Sequence, residues 1–423
     1  MSISRIDTTV AIVGAGPSGA SAAYWLAIRN IPTVVLEKKH FPREKACGDG
    51  LTPRSVVQLE SMGLGEFLKG KHMYYGLRAL AYGKALEIPW PKSPEYPDHG
   101  YVVTRYELDQ AIAENACSAG ARVLQGYEVV EAIRSTAGRI EFLVAKDKDS
   151  GDVVEIFAQY FVLAEGANSR IARSLGAARD RSEPMGMAIR GYFNTNRSDE
   201  AWIESQMDLK DEGGNVIPGY GWVFPLGDGR VNVGFGLLTN SNRWKSINTT
   251  QALERYVTQI GPSWGISATN SGSKPIGGKL QMGHAISPRS GLNFMLVGDT
   301  AGSINPFNGE GISYALETGR LGADVISYVL SNPSTDLTRL YQARLQASYG
   351  NYYAIAKKFV KLISEPKIMA PAIWMATRDE RLMTPLVTVM ANLFSPQNPQ
   401  IGDKLYHYVE RFASLVRATK AYS

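Results

Sequence analysis

The most constraining feature of the chain is its first forty or so residues. Thr8–Val13 is a run of β-branched and apolar residues, the pattern of a strand buried on both faces. It runs into Gly14-Ala15-Gly16-Pro17-Ser18-Gly19. Ala20–Ala27 then reads as a helix and Thr33–Leu36 as a second buried strand, with Glu37 at its end. Strand, glycine turn, helix, strand and acid in that order make a βαβ nucleotide-binding unit. Gly14 permits the tight turn, Gly16 lets the backbone approach a pyrophosphate, and Gly19 lets the helix pack close to the strand. Unpaired N–H groups at the helix start suit the phosphates. Glu37 can accept hydrogen bonds from a ribose. The unit implies an α/β fold and leaves NAD and FAD equally open.

At 423 residues the chain is long enough for two or three domains, and 44% hydrophobic with 20% charged residues is a globular balance. A formal net charge of +5 is too mild to argue for a nucleic-acid partner. The N-terminus is polar and then enters the nucleotide strand, so no secretory signal is expected. No stretch reaches the roughly 18 uninterrupted apolar residues of a membrane span. The expected location is cytoplasmic. Cys47 and Cys117 make no metal pattern, and in a reducing compartment no disulfide is expected between them.

Phe41–Arg54 is dense in Pro, Gly and charge and is expected to be a loop, with a helix over Pro53–Met62. Tyr74–Ile88 reads as strands, Thr104–Ala119 as an amphipathic helix and Arg122–Gln125 as a strand. Val129–Arg134, Ile140–Ala145 and Val153–Leu163 read as a β-meander that ends at Ala164-Glu165-Gly166. From Ala177 to Ser287 aromatics, glycines and alternating apolar residues dominate, as in Met187–Phe193, Tyr220–Pro225 and Arg230–Leu237. That texture predicts an inserted antiparallel sheet, interrupted by one helix over Thr250–Ile260. Phe294–Val297 is again a short buried strand and Gly309–Leu330 a long helix. The implied domains are a discontinuous nucleotide-binding domain over 1–176 and 288–332, an antiparallel substrate sheet over 177–287, and a helical region over 333–423. In that last region Lys357, Lys358, Lys361, Lys367, Arg378 and Arg381 alternate with Phe359, Val360, Leu362, Ile368, Met369, Ile373, Trp374 and Met375. Pro366, Pro371 and Pro385 are expected to break it into short helices. One reading packs these helices on the rest of the protein; the other lays part of them on a membrane surface, against the inner face of the cell membrane.

Two further stretches match known families. Val297-Gly298-Asp299-Thr300-Ala301-Gly302, followed by Asn305-Pro306-Phe307-Asn308-Gly309-Glu310-Gly311-Ile312, resembles the second flavin signature of the FAD-dependent hydroxylase and reductase superfamily, with its p-hydroxybenzoate hydroxylase-like fold. The resemblance implies that the nucleotide is FAD. It also implies that Asp299 bonds the ribityl chain and that Pro306, Gly309, Gly311 and Ile312 lie along the isoalloxazine. Glu165-Gly166 stands where that superfamily usually has Asp-Gly, and Arg105 matches its flavin-reaching arginine. Lys38, after the ribose acid, and Val129 join the implied cofactor set.

Phe41-Pro42-Arg43, Cys47-Gly48-Asp49-Gly50-Leu51-Thr52-Pro53-Arg54, Tyr220-Gly221-Trp222-Val223-Phe224-Pro225 and Pro275-Ile276-Gly277-Gly278 resemble the geranylgeranyl reductases, over nearly the whole chain. The Cys47 pattern is most like bacterial members acting on geranylgeranyl chains or on the menaquinone side chain. The resemblance implies reduction of isoprenoid C=C bonds of a prenyl lipid and places Cys47 and Gly48 beside the flavin.

An isolated trisubstituted alkene accepts hydride only with developing positive charge, so a proton must add first. The site must be apolar and dry, with π faces near the cation. Tyr220, Trp222 and Phe224 share one face of a strand and suit one wall of such a tunnel. A thiol with a pKa of about 8.5 is a poor acid for an alkene, so Cys47 is assigned to positioning. Tyr220 or a held water is the candidate proton source. No second glycine fingerprint occurs in a strand–helix setting, so the electron donor is transiently docked NAD(P)H, a ferredoxin or a quinol. The alternatives on the same scaffold are a flavin monooxygenase or halogenase of an aromatic small molecule, and an electron-transfer flavoprotein.

Overall fold

The computed structural model describes residues 3–211, 213–239, 247–395, 399, 401–404 and 406–407, apart from the side chains of residues 3, 268, 366 and 367. The side-chain part of the Lys367 expectation lies outside the described residues.

The fingerprint forms the centre of a seven-stranded sheet. Ile3–Val13 lies between Thr33–Glu37 and Val153–Leu163, parallel to both, and Arg122–Gln125 extends the sheet beyond Thr33–Glu37. Val153–Leu163 serves two neighbours along its other edge. Its first half pairs antiparallel with Ile140–Asp147, which pairs with Tyr127–Arg134; its last residues pair parallel with Phe294–Leu296. The register aligns Val13 with both Leu36 and Leu163, and Leu163 with Leu296. Gly14, Glu37, Ala164 and Val297 therefore stand side by side at the carboxyl edge. Open parallel sheets bind ligands at that edge.

Two helices cover one face. Pro17–Ala27 is buried nearly all round, with only Tyr24 partly open, because small residues dominate it. Ile312–Ser331 packs across it, with Ser21 Oγ donating to the Leu316 carbonyl at 2.7 Å. A Cβ at Gly319 would sit 2.2 Å from the Ser18 carbonyl oxygen.

The second seven-stranded sheet runs Ile276–Gln281, Met185–Asn194, Arg230–Leu238, Gly219–Pro225, Trp202–Gln206, Gly76–Ala81, Lys84–Pro89. It is antiparallel except where Trp202–Gln206 lies parallel to Gly76–Ala81. The sheet thus extends beyond residues 177–287 by recruiting two strands from an early segment. Thr249–Trp264 covers one face through Leu253, Tyr256, Val257 and Ile260.

Two local expectations are corrected. The Phe41–Arg54 stretch is not wholly loop: Gly50–Leu51 pairs with Gly100–Val102, which also pairs with His72–Tyr74. Of the three prolines, Pro366 starts a helix, but Pro371 and Pro385 lie inside Pro366–Ala376 and Glu380–Met390. An interior proline costs a helix about 3 kcal/mol. Burial of Met369 and Ile373 beside one, and of Met383 and Val387 beside the other, holds the helices together.

In an exposed helix, alanine is favoured over glycine by about 1 kcal/mol. Gly319→Ala is expected to reverse that sign and destabilise the protein by about 1–3 kcal/mol through overpacking against Ser18, measured by urea unfolding. A gain in stability would contradict the close helix contact.

Candidate active site

At the nucleotide end, each glycine has a distinct geometric reason. Gly14 has φ +97°, and a Cβ there would lie 2.5 Å from the Ala164 carbonyl oxygen. A Cβ on Gly19 would fall 1.9 Å from the Gly14 carbonyl oxygen. Gly16 is different: a Cβ would meet only Arg43 Nη2, at 3.6 Å, so the space before it is open. Gly16 caps the Pro17–Ala27 helix without a side-chain hydrogen bond, and Pro17 fills the first turn. The N–H groups of that turn face a cradle that a pyrophosphate fits.

Glu37 is buried and accepts from the N–H of Ala15 at 3.0 Å and of Lys39 at 3.1 Å. Arg43 Nη2 lies 3.6 Å from it. Lys38 is exposed, and Val129 is buried in the core beneath the sheet.

The three motifs meet at the sheet edge. Gly298 has φ +60° and lies against Ser18, where a Cβ would come 2.5 Å from Oγ. The N–H of Gly166 donates to Thr300 Oγ1 at 2.9 Å. Asp299 pairs with Lys45 at 3.1 Å, and a Cβ on Gly311 would be 3.7 Å from Asp299 Oδ1. Gly309 has φ +76°, Pro306 is buried, and the Ile312–Ser331 helix starts at Gly311 with no side-chain cap. A second set of free helix-start N–H groups therefore stands beside Asp299. The side chain of Glu165 is engaged elsewhere: it accepts from the N–H groups of Arg170, Ile171 and Ala172 at 2.9 Å each. The two uncapped helix starts and the open space at Gly16 fit a flavin dinucleotide.

The third part is a loop seated on an aromatic wall. Tyr220, Trp222 and Phe224 stand on one face of their strand, with ring centroids 6.2 and 6.1 Å apart. The neighbouring strand turns Val231, Val233 and Phe235 to the core and Asn232, Gly234 and Gly236 to this face. The indole of Trp222 lies over the glycines: a Cβ on Gly234 would be 2.3 Å from its Cζ2. Phe224 lies against the Cys47 loop, 2.8 Å from where a Cβ of Gly48 would be and 3.0 Å for Gly50.

Polar groups lock this contact. Trp222 Nε1 donates to Asn232 Oδ1 at 2.9 Å. Asn232 Nδ2 donates to the Cys47 carbonyl at 2.9 Å and to Asp49 Oδ2 at 2.7 Å. The Tyr192 hydroxyl donates to the same oxygen at 2.5 Å, and the Arg105 N–H lies 3.3 Å from Asp49 Oδ1. Asp49 is fully buried in a left-handed conformation, φ +67°. Burial raises its pKa to about 6, against the hydrogen bonds of Tyr192 and Asn232 and the charges of Arg190 and Arg105.

Arg105 is buried and grips Asp109 at 2.7 and 2.8 Å, and Arg43 shares Asp109 Oδ2 with it at 2.9 Å. A charged chain thus runs from Glu37 through Arg43 and Asp109 to Arg105, which acts on the Cys47 thiol. Burial pushes that thiol above its ordinary pKa, with Arg105 opposing. Tyr220 donates its hydroxyl to the Asn308 carbonyl at 2.5 Å, and burial, with Glu310, raises its pKa to about 12. That makes Tyr220 a weak acid and a poor choice of proton source.

The structure brings the three flavin-like motifs together at the sheet edge and seats the Cys47 loop on the Tyr220–Phe224 wall. Asp49, Asn232, Tyr192, Arg43 and Asp109, which join these parts through hydrogen bonds and ion pairs, are not singled out by the sequence. One signal was available for Asn232: a polar residue facing the aromatic side between two buried valines.

The family described as "FAD binding domain" matches residues 7–320. The chain is 37% identical to the menaquinone reductase of Mycolicibacterium smegmatis over 390 residues, 92% of each chain. It is 27% identical to digeranylgeranylglycerophospholipid reductase 2 of Methanosphaera stadtmanae, over 74% of this chain and 76% of that one. Among solved structures, a geranylgeranyl bacteriochlorophyll reductase-like protein from Thermoplasma acidophilum shares the fold, with a TM-score of 0.69 and 21% identity over 92% of this chain and all of that one. The two uncapped helix starts and the loop seated on the aromatic wall thus accompany a match along most of the chain, and the protein belongs to the FAD-binding-domain flavoproteins and, among them, to the menaquinone and geranylgeranyl reductase family.

Proposed function

We propose that the protein is an FAD-dependent reductase of isoprenoid C=C bonds in a prenyl lipid, with the menaquinone side chain as first candidate and a geranylgeranyl chain as second. The observation that carries this reading is the Cys47–Gly50 loop locked by Asn232 and Asp49 against Tyr220, Trp222 and Phe224. It is an apolar, π-rich wall next to the flavin motifs. The similarity to menaquinone reductase along nearly the whole chain supports the substrate class.

In this reading Gly14–Gly19 and Glu37 hold the adenosine and pyrophosphate end. Asp299 and Gly309–Ile312 hold the ribityl and ring end. Bound and reduced, FAD supplies two electrons as a hydride. The chain does the rest. Trp222, buried over Gly234 and Gly236, keeps water from one side of the isoprene unit. The ring faces of Tyr220, Trp222 and Phe224 stabilise cationic character at the tertiary carbon by about 0.5–2 kcal/mol each. Asn232 and Asp49 keep the Cys47 loop closed on that wall. Cys47 positions flavin or substrate. NAD(P)H, a ferredoxin or a quinol delivers electrons by transient docking.

No helix among the described residues is long and apolar enough to cross a membrane. The lipid is reached instead from the surface. In the C-terminal helices Val360, Met369 and Ile373 point inward, and Lys357 pairs with Glu183 at 2.8 Å. Leu362, Ile368, Trp374, Met375 and Leu382 are exposed beside the exposed Lys358, Lys361, Arg378 and Arg381. Trp374 is 51% exposed, with the Arg378 guanidinium 4.1 Å over its ring. Exposed apolar and basic side chains on these helices, with Glu365, Asp379 and Glu380 exposed among them, suit the headgroup boundary of a bilayer.

Incubated without oxygen, the dithionite-reduced protein is expected to add two hydrogens per saturated bond to menaquinone or a geranylgeranyl lipid, read by mass spectrometry. An unchanged mass on both substrates sinks the reading, and oxygen-dependent hydroxylation of an aromatic compound supports the monooxygenase alternative. The protein is expected to float with anionic liposomes at physiological salt; protein left in the soluble fraction argues against surface docking. Asn232→Leu leaves Trp222 Nε1 and Asp49 short of partners, each worth about 1–3 kcal/mol. It should lower the melting temperature and raise KM for the lipid while FAD affinity changes little. A variant with wild-type stability and KM would show that the lock is dispensable.

A further inference from the structure

A cleft of about 310 Å³ shares no lining residue with the flavin motifs or the aromatic wall. It opens between the Pro53–Ser61 helix, the Ile312–Ser331 helix and the chain that follows Leu337. Its apolar lining is Leu321 and Val325 from the long helix, Leu340 from Leu337–Leu345, and Tyr349. Ser348 and Tyr349 lie in a single π-helical turn, Gln346–Gly350, set between the α-helices Leu337–Leu345 and Asn351–Ile363. Such turns inside helices are frequent at functional sites, and here the turn delivers two successive side chains to the cleft.

The charges of the lining do not balance. Glu317 accepts from Arg54 Nη2 and from the Tyr349 hydroxyl, both at 2.9 Å. Asp324 pairs with Arg29 at 2.5 Å. Both carboxylates are therefore matched by other groups. Arg320 and Arg344, on two different helices, have no carboxylate within ion-pair distance among the described residues. The Arg320 guanidinium rests 4.1 Å over the Trp25 ring, and Arg344 is exposed. Two surplus guanidinium groups beside an apolar lining complement an anion carried on an apolar stem. A phosphate monoester bears about two negative charges near neutral pH and has enough oxygens for both guanidinium forks.

We propose that this cleft is a second ligand site, for a phosphate monoester on an apolar stem. Arg320 and Arg344 hold the phosphate, and Leu321, Val325, Leu340 and the Tyr349 ring line the stem. The volume matches the lower end of small-molecule pockets, about 300 Å³. Arg54 lines the cleft and also ends the Cys47–Arg54 stretch, so an occupant borders the segment that carries the loop. The assignment does not depend on the reductase reading, because neither arginine belongs to the flavin or wall site.

The test is calorimetric titration of the FAD-loaded protein with dihexanoyl phosphatidic acid, kept below its micelle concentration at low salt. One saturable site is expected, weakening as salt rises. Arg320→Gln and Arg344→Gln should each lower the affinity about tenfold, the least that losing a charge-assisted hydrogen bond costs. Ser348→Trp, an exposed position whose new ring fills the cleft, should abolish binding. Glycerol 3-phosphate has the same head without the acyl stems and should bind at least about tenfold more weakly. Dihexanoylglycerol, which lacks the phosphate, should not displace the bound acid. Wild-type melting temperature and FAD content in Arg344→Gln and Ser348→Trp show that the fold is intact. No saturable site in the wild type overturns the proposal. So does unchanged affinity in the arginine variants or in Ser348→Trp, or glycerol 3-phosphate binding as tightly as the lipid. Any of these results leaves the reductase reading standing.

Discussion

The site depends on the Asp49 carboxylate. It is fully buried, yet it accepts hydrogen bonds from a loop-facing asparagine, a sheet tyrosine and a helix-start N–H, so three separate elements converge on one group. Burying a carboxylate is costly unless its lone pairs are matched, and its pKa of about 6 records the part of that cost the donors leave uncompensated. Asn232 acts on both sides of the contact, holding Trp222 with its oxygen and the Cys47 loop with its nitrogen. The loop and the aromatic wall are therefore one unit joined by hydrogen bonds, although they are far apart in sequence.

The nucleotide half obeys a simpler constraint. Parallel pairing aligns Val13, Leu36, Leu163 and Leu296, and that alignment brings three motifs separated by long stretches of chain to one edge. Once the strands are in register, backbone contacts do the remainder: Gly14 under Ala164, Gly298 against Ser18, and Gly166 on Thr300. Both glycine-rich turns lead into helices with uncapped starts, which is what a bound anionic, dipolar cofactor requires at each end.

This half was legible in the sequence because its signals are local. Glycines at fixed spacing after a buried strand announce a turn whose geometry only glycine allows. The meander, the long helix and the aromatic wall were legible for the same reason, through periodicity. What periodicity does not reveal is pairing at a distance. Gly76–Ala81 reads as a strand, but nothing local says that it joins Trp202–Gln206. Glu165 occupies the place of a flavin-motif acid, yet it caps a short helix that begins only a few residues later. Pro371 and Pro385 carry the local signal of a break, which the burial of neighbouring side chains overrides. Asp49 is an ordinary acid in the sequence; only the folded surroundings make it a buried lock.

These features set an aromatic wall and a locked loop beside the flavin motifs. The most direct measurement is photolabelling of the FAD-loaded protein with a geranylgeranyl chain carrying a diazirine, followed by peptide sequencing. The account expects crosslinks at Cys47–Gly50 and Tyr220–Phe224, suppressed by excess unlabelled prenyl lipid. Labelling confined to the cleft lined by Arg320, Asp324 and Arg344 would contradict it.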